Sequence, residues 1–134
     1  MIVLDEQLLG HGIEVSIAAW YPGAILYINH LRPNTIIKDD AIPMLLGQQV
    51  QPVFVTINET DFWRKTAVTA QFSVVCIAVP DSRAKQIPTL LQRLLQHRDF
   101  RTKAQRSGHV FRLTNETALY YSATDSTVRG IDGW

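Results

Sequence analysis

The run Phe72-Ser73-Val74-Val75-Cys76-Ile77-Ala78-Val79 constrains the fold more than any other part of this chain. Its apolar side chains follow one another without the polar alternation of a half-exposed strand, so both faces must be covered. A strand covered on both faces belongs to a sheet with helices on each side, and such sheets are mostly parallel. Shorter runs of similar character stand at Ile2–Leu4, Ala24–Asn29 and Val53–Val55.

Helical patterns separate these runs. Ile13, Ile17 and Trp20 recur at helical spacing after the loosening Gly10 and Gly12, and Pro22-Gly23 ends the pattern. Pro43 fits the first turn of a helix over 41–48, where its missing N–H costs nothing, and Asp40 is the expected N-cap. Ile87, Leu90, Leu91, Leu94 and Leu95 repeat at three and four, with Pro88 at the start, and form the clearest amphipathic helix. Residues 97–108 are basic and polar and read as a loop. Val110–Leu113 and Ala118–Tyr121 flank Thr114-Asn115-Glu116-Thr117 as a β-hairpin. The alternation predicts an α/β fold: a three-layer α/β/α sandwich with a mostly parallel central sheet and a C-terminal β-hairpin. One domain is expected over 1–122, followed by a loose polar tail over 123–134.

The bulk composition narrows the class without naming a function. Hydrophobic residues make up 46% and charged residues 19%, which fits a folded globular chain and not a disordered one. Net charge is +1, but its distribution is uneven. Residues 1–80 carry seven acids against four bases, and residues 81–112 carry eight bases against two acids. The single cysteine, Cys76, lies inside the apolar run and reads as a small core residue. It excludes an internal disulfide and is compatible with a reducing cytoplasm, the expected location. The chain opens directly on Ile2-Val3-Leu4 with no basic leader, so no signal peptide is expected. No apolar run approaches the roughly 20 residues of a membrane span, so no membrane partner is expected.

Three acidic clusters sit at the joints between elements: Asp5-Glu6, Asp39-Asp40, and the segment Asn58-Glu59-Thr60-Asp61. In a mostly parallel sheet, sites form at the carboxyl ends of strands, so all three are expected on one edge. Carboxylates gathered without bases suit a hard cation such as Mg²⁺ or Mn²⁺, which takes one or two carboxylates and keeps several waters. Such an ion can activate water toward a phosphodiester. Asp5, at the end of a buried strand, has no evident structural reason. One of Asp39 and Asp40 reads as a ligand and the other as a helix cap, and Asp61 reads equally as a cap of the next short helix. Glu6, Asn58 and Glu59 read as turn residues. His11, His30, His97 and His109 are scattered without ligand spacing. The bases Arg83, Lys85, Arg98, Arg101, Lys103 and Arg106 form a solvated face or a track for a phosphate polymer.

These residues resemble the small bacterial branch of the PIN-like nuclease superfamily over residues 1–122. In that branch the opening strand ends in Leu-Asp-Glu-Asn-Leu, matched by Leu4-Asp5-Glu6-Gln7-Leu8. A Ser-Asp-Glu-x-Ile pattern opens a helix, matched by Lys38-Asp39-Asp40-Ala41-Ile42. A strand ending in Thr-x-Asp-x-Asp-Phe is matched by Thr56-Ile57-Asn58-Glu59-Thr60-Asp61-Phe62. A strand leading to Val79-Pro80, a leucine-rich helix and a terminal hairpin follow in the same order.

The resemblance implies a Mg²⁺- or Mn²⁺-dependent ribonuclease, often the toxin half of a toxin–antitoxin pair, with RNA as substrate and a protein antitoxin as partner. By position, Asp5, Asp39 and Asp61 would be the catalytic, metal-binding acids, with Thr56 as a supporting hydroxyl beside Glu6, Asp40, Asn58 and Glu59. The six bases between 83 and 106 would guide RNA. Two departures stand out: Asn58 replaces an aspartate, and one extra residue lies between Thr56 and Asp61. A catalytically degenerate PIN-like domain that binds RNA or protein is the competing expectation. A phosphoacceptor domain of receiver type ranks last, because the third strand ends in Thr56 and the fourth leads to Pro80. The outward Gln/Arg face of residues 84–96 neither demands nor excludes a homodimer.

Overall fold

Ile2–Leu4 (β1) is flanked in parallel by Ile25–Tyr27 (β2) on one side and Val53–Thr56 (β3) on the other. Ser73–Ile77 (β4) and His109–Leu113 (β5) continue the parallel pairing outward from β3. Ala118–Ser122 (β6) then turns back as the hairpin partner of β5, and Arg129–Gly130 (β7) pairs antiparallel with β6. The computed structural model describes residues 1–134, and its single sheet has the order β2-β1-β3-β4-β5-β6-β7.

Five helices accompany the sheet: α1 (Ile13–Ala18), α2 (Ile42–Gly47), α3 (Glu59–Phe62), α4 (Ile87–Leu95) and α5 (Lys103–Arg106). Strand alternation sends neighbouring residues to opposite faces, and here both faces are buried. Leu4, Val55, Val75, Ile77 and Phe111 pack in one cluster with Ile13 and Ile17 of α1 and Leu90, Leu91 and Leu94 of α4. Val3, Phe54, Val74, Cys76 and Val110 pack in the other with Ile42, Leu45 and Leu46 of α2 and Phe62 of α3. Every residue of β4 is buried, as the unbroken apolar run requires. The result is three layers around a mostly parallel sheet, with the expected terminal hairpin.

The sheet order fixes where a ligand can sit. From β1 the chain first goes outward to β2 and then crosses to β3 on the other side of β1. The connections leaving β1 and β3 run to opposite faces of the sheet, toward α1 and α3, which marks the topological switch point, the usual place for ligands in open α/β sheets. After β4, α4 returns the chain to the amino edge. Its nine residues span about 13 Å.

Three expectations need correction. Asp40 does not cap α2: Asp39–Ala41 form a 3-10 turn leading into the helix, the N-cap position is Ala41, and no side chain caps it. Residues 97–108 are not wholly a loop, because Thr102 accepts from the Gln105 N–H and caps α5. The tail is not loose. The Ile131 N–H donates to the Ala118 carbonyl at 2.9 Å, and Ile131 is buried. Trp134 Nε1 donates to the Thr114 carbonyl at 2.8 Å, and the Arg93 guanidinium lies over the Trp134 ring at 4.2 Å. Ile131 and Trp134, with polar ties from Arg64 to the Ser126 carbonyl and from His97 to the Asp132 carbonyl, hold this segment against the sheet. No helix is long and apolar enough to cross a membrane.

Candidate functional site

Asp5 stands where β1 ends. Its backbone N–H donates to the Val55 carbonyl at 2.9 Å, extending the ladder one residue beyond the strand. Its side chain is only 6% exposed, unusual for a carboxylate with no cation beside it. At the end of β3 the fully buried Thr56 donates its hydroxyl to Asp5 Oδ2 at 2.7 Å. The Thr56 oxygen in turn accepts the Asn58 backbone N–H at 3.0 Å. That acceptance leaves the hydroxyl proton directed at Asp5. Burial pushes the Asp5 pKa up, and the neighbouring Glu6 charge adds to this. The Thr56 hydroxyl and the N–H groups of Gln7 and Glu6 oppose the rise by binding the ionised form.

Asp61 is positioned by Asn58, not by its own cap. The Asn58 side-chain oxygen accepts the Asp61 N–H at 3.2 Å as the N-cap of α3, and its Nδ2 donates to Asp61 Oδ2 at 2.7 Å. The carboxyls of Asp39 and Asp61 line one hollow, and the Asp39 pKa is raised by burial first, then by the neighbouring Asp61 carboxyl and by the charges of Asp5 and Glu6. The three acidic segments therefore stand on one edge of the sheet, although no three of their carboxyls are arranged to hold an ion. Asp39, Asp40 and Asp61, with Lys65, Pro43 and Thr66, line an open hollow of about 350 Å³.

The remaining acids divide. Glu59 is neutralised by Arg112 of β5, whose Nε donates to Oε2 at 2.9 Å. Glu6 is exposed and lines a separate hollow with Asn29, His30 and Asn34. Asp5, Asp39 and Asp61 have no ion pair with any base. Cys76 is not a competing nucleophile, because burial, with the Glu59 charge, pushes its thiol up to about 12.

The donor set suits a hard cation in kind: oxygen donors, Asp39 and Asp61 on one hollow, and no base in ion-pair contact with them. The geometry is looser than a closed metal cage, since no group of three His, Cys, Asp or Glu side chains is arranged to hold an ion. Mg²⁺ does not require one, being held by one or two carboxylates with several waters.

The basic residues do not all face this edge. Arg83 and Lys85 belong to the exposed 3-10 segment Asp81–Gln86 directly after the β4 exit and share the carboxyl side. Arg98, Arg101, Lys103 and Arg106 follow α4 and precede β5, so they lie at the amino edge, across the sheet from the acids. Arg106 is buried and donates to the carbonyls of Phe100 and Arg101 at 3.0 Å each. The expected single track beside the acids is therefore split between two edges. Sequence reasoning also missed Arg112. Its place between the buried Phe111 and Leu113, in a strand, is the signal that marks an inward charge with a partner.

Comparison with protein-family models, with curated proteins and with solved structures finds no match.

Proposed function

We propose that this protein is a metal-dependent endoribonuclease of the PIN-like kind it resembles, acting as the toxin half of a toxin–antitoxin pair. The observation that carries the reading is the gathering of Asp39 and Asp61 on one hollow, in the field of Asp5 and Glu6, with no base in ion-pair contact with Asp5, Asp39 or Asp61. Repulsion of this kind is relieved by a cation, and it stands beside the topological switch point. Asp5, Asp39 and Asp61 would hold Mg²⁺ or Mn²⁺. When bound, such an ion lowers the pKa of a water and polarises a phosphoryl oxygen. Thr56 and the Gln7 N–H favour the ionised form of Asp5 against the rise that burial causes, and Thr56 orients Oδ2. Asn58 fixes Asp61 Oδ2. Lys65, on the wall of the same hollow, and Arg83 and Lys85 beyond β4 supply positive charge for the phosphates of RNA.

RNA cleavage is assayed with Mg²⁺ or Mn²⁺ for the wild type and for Asp5→Asn. Metal-dependent cleavage by the wild type that the substitution removes is the expected result. Equal activity in both proteins means a contaminant and rejects the catalytic reading.

A second reading, a PIN-like module that binds without cutting, is favoured by Asn58, which serves as a helix cap where the family pattern has an acid. Melting in rising Mn²⁺ separates the two, because an ion that binds only the native state raises the midpoint. No shift at millimolar metal favours the binding module.

A further inference from the structure

Glu6 directly follows Asp5 and its charge reaches Asp39, yet it borders a hollow that Asp39 and Asp61 do not line. That hollow holds about 470 Å³, within the range of roughly 300–1,000 Å³ usual for small-ligand pockets. His30, Pro33, Thr35 and Ile36, from the 3-10 turn after β2 and the loop beyond it, supply much of its wall. No lysine or arginine lines it.

His30 is held in one tautomer. The Tyr27 N–H donates to its Nδ1 at 3.3 Å, so the proton of the neutral ring sits on Nε2. The ring is therefore a donor on this wall and has no free lone pair for a metal. Glu6 forms no ion pair and supplies an acceptor carboxylate, and Thr35 adds a hydroxyl that can donate or accept. Ile36 is 87% exposed, and with Pro33 it gives an apolar surface beside these polar groups. A phosphate would meet the Glu6 charge with no cation to offset it, and an apolar side chain would leave the polar groups unpaired. A flat ring with apolar faces and a polar edge uses both kinds of surface.

We propose that this hollow is a subsite for one unpaired guanine base of single-stranded RNA, with Glu6 as the residue that reads it. Guanine alone among the four RNA bases presents two adjacent donors on one edge, N1–H and the N2 amino group, and a carboxylate accepts both at once. Adenine and cytosine place an acceptor beside their amino group, and uracil offers a single donor. His30 Nε2 supplies the donor for O6, the acceptor next along the guanine edge, while Pro33 and Ile36 cover a face of the ring. The inference rests on the nuclease reading for its consequence. Because Glu6 adjoins Asp5, the phosphate beside the bound guanosine is the one brought to the acids.

The test is an NMR titration of the isotope-labelled protein with 5′-GMP, 5′-AMP and 5′-IMP in EDTA, where no cleavage is required. GMP is expected to bind at least about fivefold more tightly than AMP, the low end of what a bidentate pair discriminates. Its shifts should centre on Glu6, His30 and Thr35. IMP, which lacks only the N2 amino group, should fall between the two. Glu6→Gln, at an exposed position, should bring the GMP/AMP ratio near one, whereas a charge effect alone would change both affinities together. The exposed control Glu116→Gln should keep the wild-type ratio. Equal binding of GMP and AMP, a ratio that survives Glu6→Gln, or no shift at millimolar GMP overturns the proposal. Mapping of cut sites in RNA keeps the two readings apart. Cleavage without regard to guanosine rejects the subsite and retains the nuclease; selective GMP binding without cleavage rejects the nuclease and retains the subsite.

Discussion

The Thr56 hydroxyl donates a 2.7 Å hydrogen bond to Asp5 Oδ2, tying together the carboxyl ends of two adjacent parallel strands. Both residues are buried, and both strands end at the switch point of the sheet. A buried carboxylate here would drift toward its neutral form. Thr56 opposes that drift without supplying a positive charge that would compete with a cation.

Thr56→Val keeps the shape and deletes the donor. Leaving Asp5 and the Asn58 N–H without this partner should cost about 1–3 kcal/mol, measured by urea unfolding. The Asp5 pKa should rise further, because the bond that lowers it is gone. Thr56→Ser should recover most of the loss. An unchanged midpoint in Thr56→Val would mean the hydrogen bond contributes nothing.

Asp5 and Asp39 both have folded-state pKa values above the ordinary carboxylate value near 4. Between the unfolded and folded values the native state binds more protons, so stability must fall as pH rises through that window. The contribution is fully present below the unfolded pKa. A divalent cation favours the ionised forms and should flatten or reverse this slope. Asp39→Asn removes a like charge from Asp61 and should raise the metal-free melting point at neutral pH by about 1–2 °C while weakening the response to Mn²⁺. Calorimetry from pH 4 to 8, with EDTA and then with Mn²⁺, checks both signs.

Much of the architecture is legible in the chain. The unbroken run through Val74–Ile77 dictates a doubly covered strand, and the Leu90–Leu95 repeat dictates the helix packed on one of its faces. The helix at 41–48 and the hairpin follow from Pro43 and from the Thr114–Thr117 turn. The edge on which each charge falls is not legible, because that depends on how far α4 carries the chain back. Arg83 and Arg101 look alike in sequence, yet they belong to opposite ends of the sheet. The tail escaped for a related reason. Its ties are long-range contacts of Ile131 and Trp134, and β7 itself is two exposed residues.

Asn58 shows how one residue type can carry two signals. Read against the family pattern it is a lost acid, and read locally it is a turn residue, with Asp61 the candidate cap. The structure gives the cap to Asn58 instead, with reciprocal bonds to Asp61 at 3.2 and 2.7 Å. Asn58→Ala should therefore cost about 1 kcal/mol and free the Asp61 side chain. Asn58→Asp keeps an acceptor for the Asp61 N–H but replaces the donor at Oδ2 with a second carboxylate. Without metal this variant should be less stable than the wild type at neutral pH, and the deficit should shrink as Mn²⁺ is added. Melting of the wild type and both variants across a Mn²⁺ series tests this. A deficit in Asn58→Asp that metal does not relieve would place the cation, if one binds, away from Asp61.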